Sequence, residues 1–260
     1  MILAVDMGNT HTEVGIVDGD RIAATSRIAT DLKKTETEYA ALLYMILTVR
    51  KISPDKVEGA VISSVVPSLT HVLKEAVKLT IGKKPLVVGP GIRNGLKIAI
   101  DDPKTLGADM VVDAVGGIKI YGCPLVIIDM GTATTITVVD KEGVFRGGAI
   151  VPGVKLSLEA LAHGTSQLPM IGLESPGRAV GTNTIECMKS GIIYGQAALL
   201  DGMIDRMREE MGCEAKVVAT GGLARVVIPY CRHEIILDNE LMIKGLKLIY
   251  DMNKHVTIHR

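Results

Sequence analysis

Two short stretches of the chain set the same chemical groups in the same order. Ile2–Thr12 reads ILAVDMGNTHT and Leu125–Thr135 reads LVIIDMGTATT. In each, an apolar run ends on a carboxylate, Asp6 or Asp129, and a glycine, Gly8 or Gly131, follows two residues later. Glycine allows a tight turn and the close approach of a ligand. Successive backbone N–H groups in such a turn form a concavity that binds anions. The hydroxyls of Thr10, Thr132, Thr134 and Thr135 add donors. Ionised Asp6 and Asp129 only accept hydrogen bonds, so they suit a phosphate when a cation lies between, as Mg²⁺ does in phosphoryl transfer. One copy alone reads as an ordinary strand-to-hairpin turn capped by its own side chain. Two copies in matching surroundings read as phosphate-binding turns.

A third carboxylate, Asp109, opens a helical pattern over 108–121. An aspartate there is ordinarily a helix cap, held ionised by the helix dipole and nearby N–H groups. A fixed carboxylate can also accept the proton of an attacking hydroxyl. In phosphoryl transfer, positioning matters more than base strength.

The elements around these residues follow from periodicity. Strands are expected at 2–6, 12–17 and 22–28, the last two joined by Asp18-Gly19. Thr35 and Glu38 form a capping-box pattern, and Tyr39, Leu42, Leu43, Ile46 and Leu47 follow at helical spacing. A strand within 57–66, a helix opened by Pro67 and a strand at 85–88 complete the first half. The second half repeats the order. Strands are expected at 125–129, 134–139 and 144–151, a long helix at 184–211, strands at 216–219 and 235–237, and a closing helix at 240–252. The stretch 166–182 is the least regular, and we expect it to be a mobile loop. A period near half the chain means duplication rather than a solenoid. The expected lobes are 1–117 and 118–260.

Composition narrows the function. Lys plus Arg equals Asp plus Glu, and the aromatics are few, with no Trp and one Phe. Both facts argue against nucleic acid as a partner. The apolar run from Ile2 stops at Asp6, too short for a signal peptide or a membrane span, so no membrane association is expected. Cys123, Cys187, Cys213 and Cys231 are scattered, which points to reduced thiols in the cytoplasm. Gly89–Gly95 lacks the spacing of a dinucleotide fingerprint, and Ile81–Lys84 is no Walker A loop. His11 as a lone side chain reads as surface, and His163 has no evident partner. Met203, Met207 and Met211 read as core or subunit contact.

The paired turns resemble the nucleotide-binding lobes of the actin, sugar-kinase and heat-shock-chaperone ATPase superfamily. The whole chain is more closely similar to the type III pantothenate kinases. The matching pieces are DMGNT (Asp6–Thr10), LGAD (Leu106–Asp109), IDMGTATT (Ile128–Thr135), GGAIVPG (Gly147–Gly153), GTNT (Gly181–Thr184), SGIIYG (Ser190–Gly195) and ATGG (Ala219–Gly222), in family order. The resemblance implies an α/β chain with a duplicated ribonuclease-H-like fold. Each lobe would hold a mixed five-stranded sheet flanked by helices, with a cleft between the lobes. It implies ATP-dependent phosphorylation of pantothenate, the first step to coenzyme A, with Mg²⁺ and with K⁺ or NH₄⁺.

By the same resemblance Asp109 is the catalytic base. Asp6, Gly8, Asn9, Thr10, His11, Thr12, Gly131, Thr132, Gly221 and Gly222 bind ATP. Asp6 helps hold Mg²⁺, and Asp129 matches the monovalent-cation site. Gly107, Ala108, Asp109, Met110 and Thr184 contact the substrate, Thr184 from the partner of a homodimer whose active site lies at the interface. Read alone, Thr184 is an N-cap with Glu186 in the first turn. Residue 110 departs from the pattern: the family often carries Arg there, suited to the substrate carboxylate. Methionine motivates two alternatives, a kinase for another small hydroxylated substrate and a non-catalytic nucleotide-binding regulator.

Overall fold

The computed structural model describes residues 1–254. It forms two compact units, and each is built around one sheet. The first unit holds Met1–Leu96, Asp102–Gly116 and, among the described residues, 241–254. Its strands are β1 (Ile2–Met7), β2 (His11–Asp18), β3 (Arg21–Ala29), β4 (Gly59–Ser64) and β5 (Leu86–Val87), in the order β3-β2-β1-β4-β5. Its helices are α1 (Glu36–Val49), α2 (Pro67–Ile81), the first part of α3 (Ala108–Tyr121) and, at the end of the chain, α7 (Leu241–Asn253).

The second unit holds Lys97–Asp101 and Gly117–Glu240. Its strands are β6 (Lys97–Ile98), β7 (Leu125–Met130), β8 (Ala133–Val139), β9 (Val144–Pro152), β10 (Lys216–Thr220) and β11 (Ile236–Leu237). They run β11-β10-β7-β8-β9-β6. The helices α4 (Val154–His163), α5 (Thr184–Met211) and α6 (Ala224–Val227) belong to this unit.

The duplication is written in the pairing. β1 pairs antiparallel with β2 and parallel with β4; β7 pairs antiparallel with β8 and parallel with β10. β1 and β7 share one burial pattern, in which every residue is buried except Asp6 or Asp129. Even the register shifts correspond, between Ile16 and Val17 on β2 and between Val138 and Val139 on β8. The copies differ in the turn itself. Met7–Thr12 closes over Gly8–His11, whereas Met130–Thr134 closes over Gly131–Ala133, one residue fewer.

Burial of both faces explains the unbroken apolar runs of β1 and β7. On β1, Leu3, Val5 and Met7 join the core made with α1 and α2. Ile2 and Ala4 face the other way, into a core with Val111, Val112 and Val115 of α3 and Met242, Ile243, Leu246 and Ile249 of α7. The strand period of two therefore puts Asp6 on the α3 and α7 side. In the second unit Val126, Ile128 and Met130 pack with α4, α5 and α6, leaving Asp129 on the opposite face.

Two features differ from the expected layout. A cut at 117/118 assigns the last helix to the second lobe, but α7 packs its apolar face on the first sheet. There Gly15 and Gly59 leave room for Ile243 and Tyr250. The second sheet has six strands rather than five, because β6 adds to β9. Helix α4, absent from the expected elements, buries Val154 and Leu158 one turn apart.

The capping box on α1 is present as read. Thr35 N donates to Glu38 Oε2 at 2.8 Å, and Glu38 N donates to Thr35 Oγ1 at 3.4 Å. Loss of such a cap costs a protein of this size a few degrees. Thr35→Ala should lower Tm by about 2–4 °C in a thermal melt, with the ATP KM unchanged. An unchanged Tm would show that the box adds nothing.

Candidate active site

In the first turn Gly8 N donates to His11 O at 3.0 Å. Thr30, at the end of β3, braces it twice: its N–H donates to Thr10 O at 3.0 Å and its hydroxyl to Gly8 O at 2.8 Å. Thr12 is fully buried, with Oγ1 2.9 Å from Thr30 Oγ1. Thr12 thus supports the turn from beneath, while Asn9 and His11 are exposed and Gly8 and Thr10 partly so. The second turn has the same form, with Gly131 N donating to Ala133 O at 3.1 Å. Gly153 closes it from behind: its N–H donates to Thr132 O at 3.1 Å, and a Cβ there would stand 2.4 Å from that same oxygen. Thr132 itself is exposed.

Each strand-end carboxylate has a hydroxyl residue beside it on the neighbouring parallel strand. Asp6 is in register with Ser63 and Asp129 with Thr220. Ser63 is fully buried, and its Oγ has no hydrogen-bond partner among the described residues; the same holds for Thr134 Oγ1 in β8. Buried polar groups are seldom left so; Ser63 is in register with Asp6, near the first turn, and Thr134 with Met130, beside the second. Across the antiparallel pair, Asp6 stands opposite Glu13. A register that sets two carboxylates on one face gains from a cation. Asp129 is crowded instead by the loop after β10. Gly221 has φ +92°, and a Cβ on it would lie 2.5 Å from Asp129 Oδ1 and 2.6 Å from Met130 N. Gly222 is exposed next to it.

Asp109 lies in the first turn of α3, on the side of the first sheet that Asp6 faces. Gly107 O accepts the first helical bond, from Val111 N at 3.2 Å. Asp109 is therefore inside the helix rather than at its cap, and its Oδ1 accepts from Met110 N at 2.8 Å. Burial pushes its carboxyl above the ordinary aspartate range, outweighing the amides of Met110 and Asp109 that pull it down. The sequence-based expectation, that the amides dominate, is reversed by desolvation. A raised pKa makes a stronger base. Gly107 is small because Asp109 folds over it, with Oδ1 2.3 Å from where a Cβ would be. Ala108 and Met110 are partly exposed beside it.

Thr184 is the first residue of α5, and the cap is Asn183, whose Oδ1 accepts from Glu186 N at 3.0 Å. Asparagine at N-cap leaves the hydroxyl of Thr184 exposed. Thr184 lines an open groove of about 760 Å³ with Leu161, Leu168, Thr182, Cys187 and Met188. Thr30, Ser63, Gly153 and Asn183 were not among the expected site residues. Asn183 carried a local signal, its place three residues before Glu186; the other three depend on pairings made far along the chain.

The family model described as type III pantothenate kinase matches residues 2–206. A type III pantothenate kinase of Exiguobacterium sp. is 42% identical over 98% of this chain and 100% of its own. One from Moorella thermoacetica is 39% identical over 97% and 100%. Among solved structures, a conserved putative Baf family transcriptional activator from Campylobacter jejuni aligns with TM-score 0.64 and 19% identity, covering 98% of this chain and 100% of that one. Component A of the Acidaminococcus fermentans (R)-2-hydroxyglutaryl-CoA dehydratase aligns with TM-score 0.59 and 16% identity, covering 98% of each. These two likenesses show the fold, two mixed sheets of five and six strands flanked by helices. The full-length sequence matches carry the assignment further: the chain belongs to the type III pantothenate kinase family.

Proposed function

We propose that the chain transfers the γ-phosphoryl group of ATP to the primary hydroxyl of pantothenate, giving 4′-phosphopantothenate, with Asp109 as the base. Family membership makes the chain a phosphotransferase of coenzyme A biosynthesis. The observation that carries the residue assignment is the part-buried Asp109 carboxyl, its pKa raised by desolvation, on the side of the first sheet that Asp6 faces. Asp109 accepts the hydroxyl proton as the oxygen attacks phosphorus, and the Met110 N–H holds the carboxylate in place. The turns Gly8–His11 and Gly131–Thr132, with Gly221 and Gly222, hold the nucleotide through backbone N–H groups and hydroxyls.

Asp6, with Glu13 opposite and Ser63 alongside, fits a hydrated Mg²⁺. When bound, that ion offsets the negative charge of the phosphates. Asp129, whose Oδ1 lies against the Gly221 backbone, suits a monovalent cation, K⁺ or NH₄⁺. A homodimer is supported by the exposed face of α5, where Cys187, Gly191, Gly195 and Ala198 leave a smooth strip near exposed Ile185 and Thr184. Small residues let helices approach closely, and Thr184 would then meet the partner's substrate. No described helix is long and apolar enough to cross a membrane; the four free cysteines support a reading in the reducing cytoplasm.

Met110 supports a second reading, a kinase of the same superfamily for another small hydroxylated substrate, because a thioether offers the pantothenate carboxylate no counterpart to a guanidinium. ADP release in the presence of a panel of small hydroxylated acids and sugars separates the two. We expect pantothenate to lead by at least about 10²-fold in kcat/KM, a ratio typical of a site built to bond its substrate. Turnover should need Mg²⁺ and rise when K⁺ replaces Na⁺. Equal rates across the panel would favour the second reading.

A further inference from the structure

We propose that the first unit carries a second anion site, for a small polyanion of the pyrophosphate class, at the opposite end of its sheet from the Asp6 turn. A cavity of about 620 Å³ opens there, within the range of small-molecule sites. Its floor is the start of β1 and β4, at Ile2, Gly59 and Ala60. Its walls bring four lysines together from distant segments: Lys83 and Lys84 ahead of β5, Lys247 in α7 and Lys254 just beyond it.

The acids of the cavity are already matched. Glu58 is held by the Met1 ammonium at 2.6 Å. Asp251 is shared by Lys247 and Lys254, the latter at 3.3 Å. Lys83 uses one donor, on Val57 O at 2.7 Å, and Lys84 has no acid within ion-pair distance among the described residues. The cavity therefore holds unmatched positive charge on compact, flexible ammonium groups, which suit phosphate oxygens. Two adjacent lysines facing others across a space this large fit a ligand with more than one phosphate.

The position separates this cavity from the chemistry. Ligands of open α/β sheets bind beyond the carboxyl ends of the strands, and this cavity lies at the amino ends. β1 alone spans the distance, about 17 Å at roughly 3.3 Å per residue. A polyanion here therefore leaves the nucleotide turns unblocked, and binding at both places is compatible.

The test is calorimetric titration of inorganic pyrophosphate into the full chain saturated with a non-hydrolysable ATP analogue, so that the nucleotide turns are occupied. We expect saturable binding of one pyrophosphate per chain. Lys83→Ala/Lys84→Ala should weaken it at least tenfold. Lys84→Ala alone, which removes a side chain with no bond to lose, should weaken it at least threefold, with Tm and the ATP KM unchanged. Pyridoxal 5′-phosphate with borohydride should label Lys83 or Lys84 at least tenfold above the average lysine, and pyrophosphate should protect them. Absence of saturable binding beside the bound analogue, or affinity within twofold in Lys84→Ala, overturns the proposal.

Discussion

Asp109→Asn is expected to lose about 10³-fold in kcat while its ATP affinity stays within about twofold, since general-base assistance contributes about 10²–10⁴. The amide keeps the shape, and its oxygen can still accept from Met110 N–H, so the pocket should survive while proton acceptance does not. The pH profile gives an independent check. Burial raises the Asp109 pKa, and the base must be ionised to work. The wild-type rate should therefore fall with decreasing pH at values above the ordinary aspartate range, and this limb should vanish from the residual activity of the variant. Stability has the opposite sign. A carboxyl whose folded pKa is raised favours folding in its protonated form, and that contribution is lost as pH rises through the folded pKa. Above the folded pKa the ionised Asp109 is a cost, so in that range Asp109→Asn should melt at the same temperature or higher. A variant that turns over normally would remove Asp109 from the mechanism.

Gly221→Ala should combine a fall of about 5–10 °C in Tm with a loss of at least about 10²-fold in kcat/KM. Two effects add at this position. The backbone, at φ +92°, lies where L side chains are strained, at about 1–3 kcal/mol. The new methyl would also meet Asp129 Oδ1 at 2.5 Å and Met130 N at 2.6 Å, and it can be relieved only by moving the end of β7 and the turn that follows. A control separates the terms. Gly212, which ends α5 at φ +66°, has nothing within 4 Å of a built Cβ. Gly212→Ala should lose stability through strain alone and keep kcat/KM within about twofold. Wild-type activity in a folded Gly221→Ala variant would show that Asp129 has no part in turnover.

Much of this architecture is legible in the chain because local signals agree with the final packing. The apolar run of β1 ends at Asp6, the Thr35–Glu38 box opens α1, Pro67 opens α2, and the helices at 108–121 and 184–211 have the expected bounds. What was hidden depends on contacts between distant segments. Nothing near Thr30 says that its hydroxyl will reach Gly8 O; that follows from the β2 and β3 register. Ser63 comes beside Asp6 only when β4 pairs parallel with β1. The place of α7 is settled by Gly15 and Gly59, which look unremarkable in sequence but admit Ile243 and Tyr250. The repeat itself was visible, yet the missing residue in the second turn was not, because identical flanking letters align without a gap. Asp109 shows a different limit. Its location was readable, but the sign of its pKa shift depends on how far desolvation outweighs two amides, which needs the folded surroundings.

The proposed function requires that Thr10 and Thr132 both contribute to binding ATP. Titrating a non-hydrolysable ATP analogue with Mg²⁺ into the wild type, Thr10→Ala and Thr132→Ala tests this most directly. A hydrogen bond to a charged group contributes about 1.5–3 kcal/mol, so each variant should raise Kd by about tenfold or more. If one substitution weakens binding and the other leaves Kd unchanged, that requirement fails.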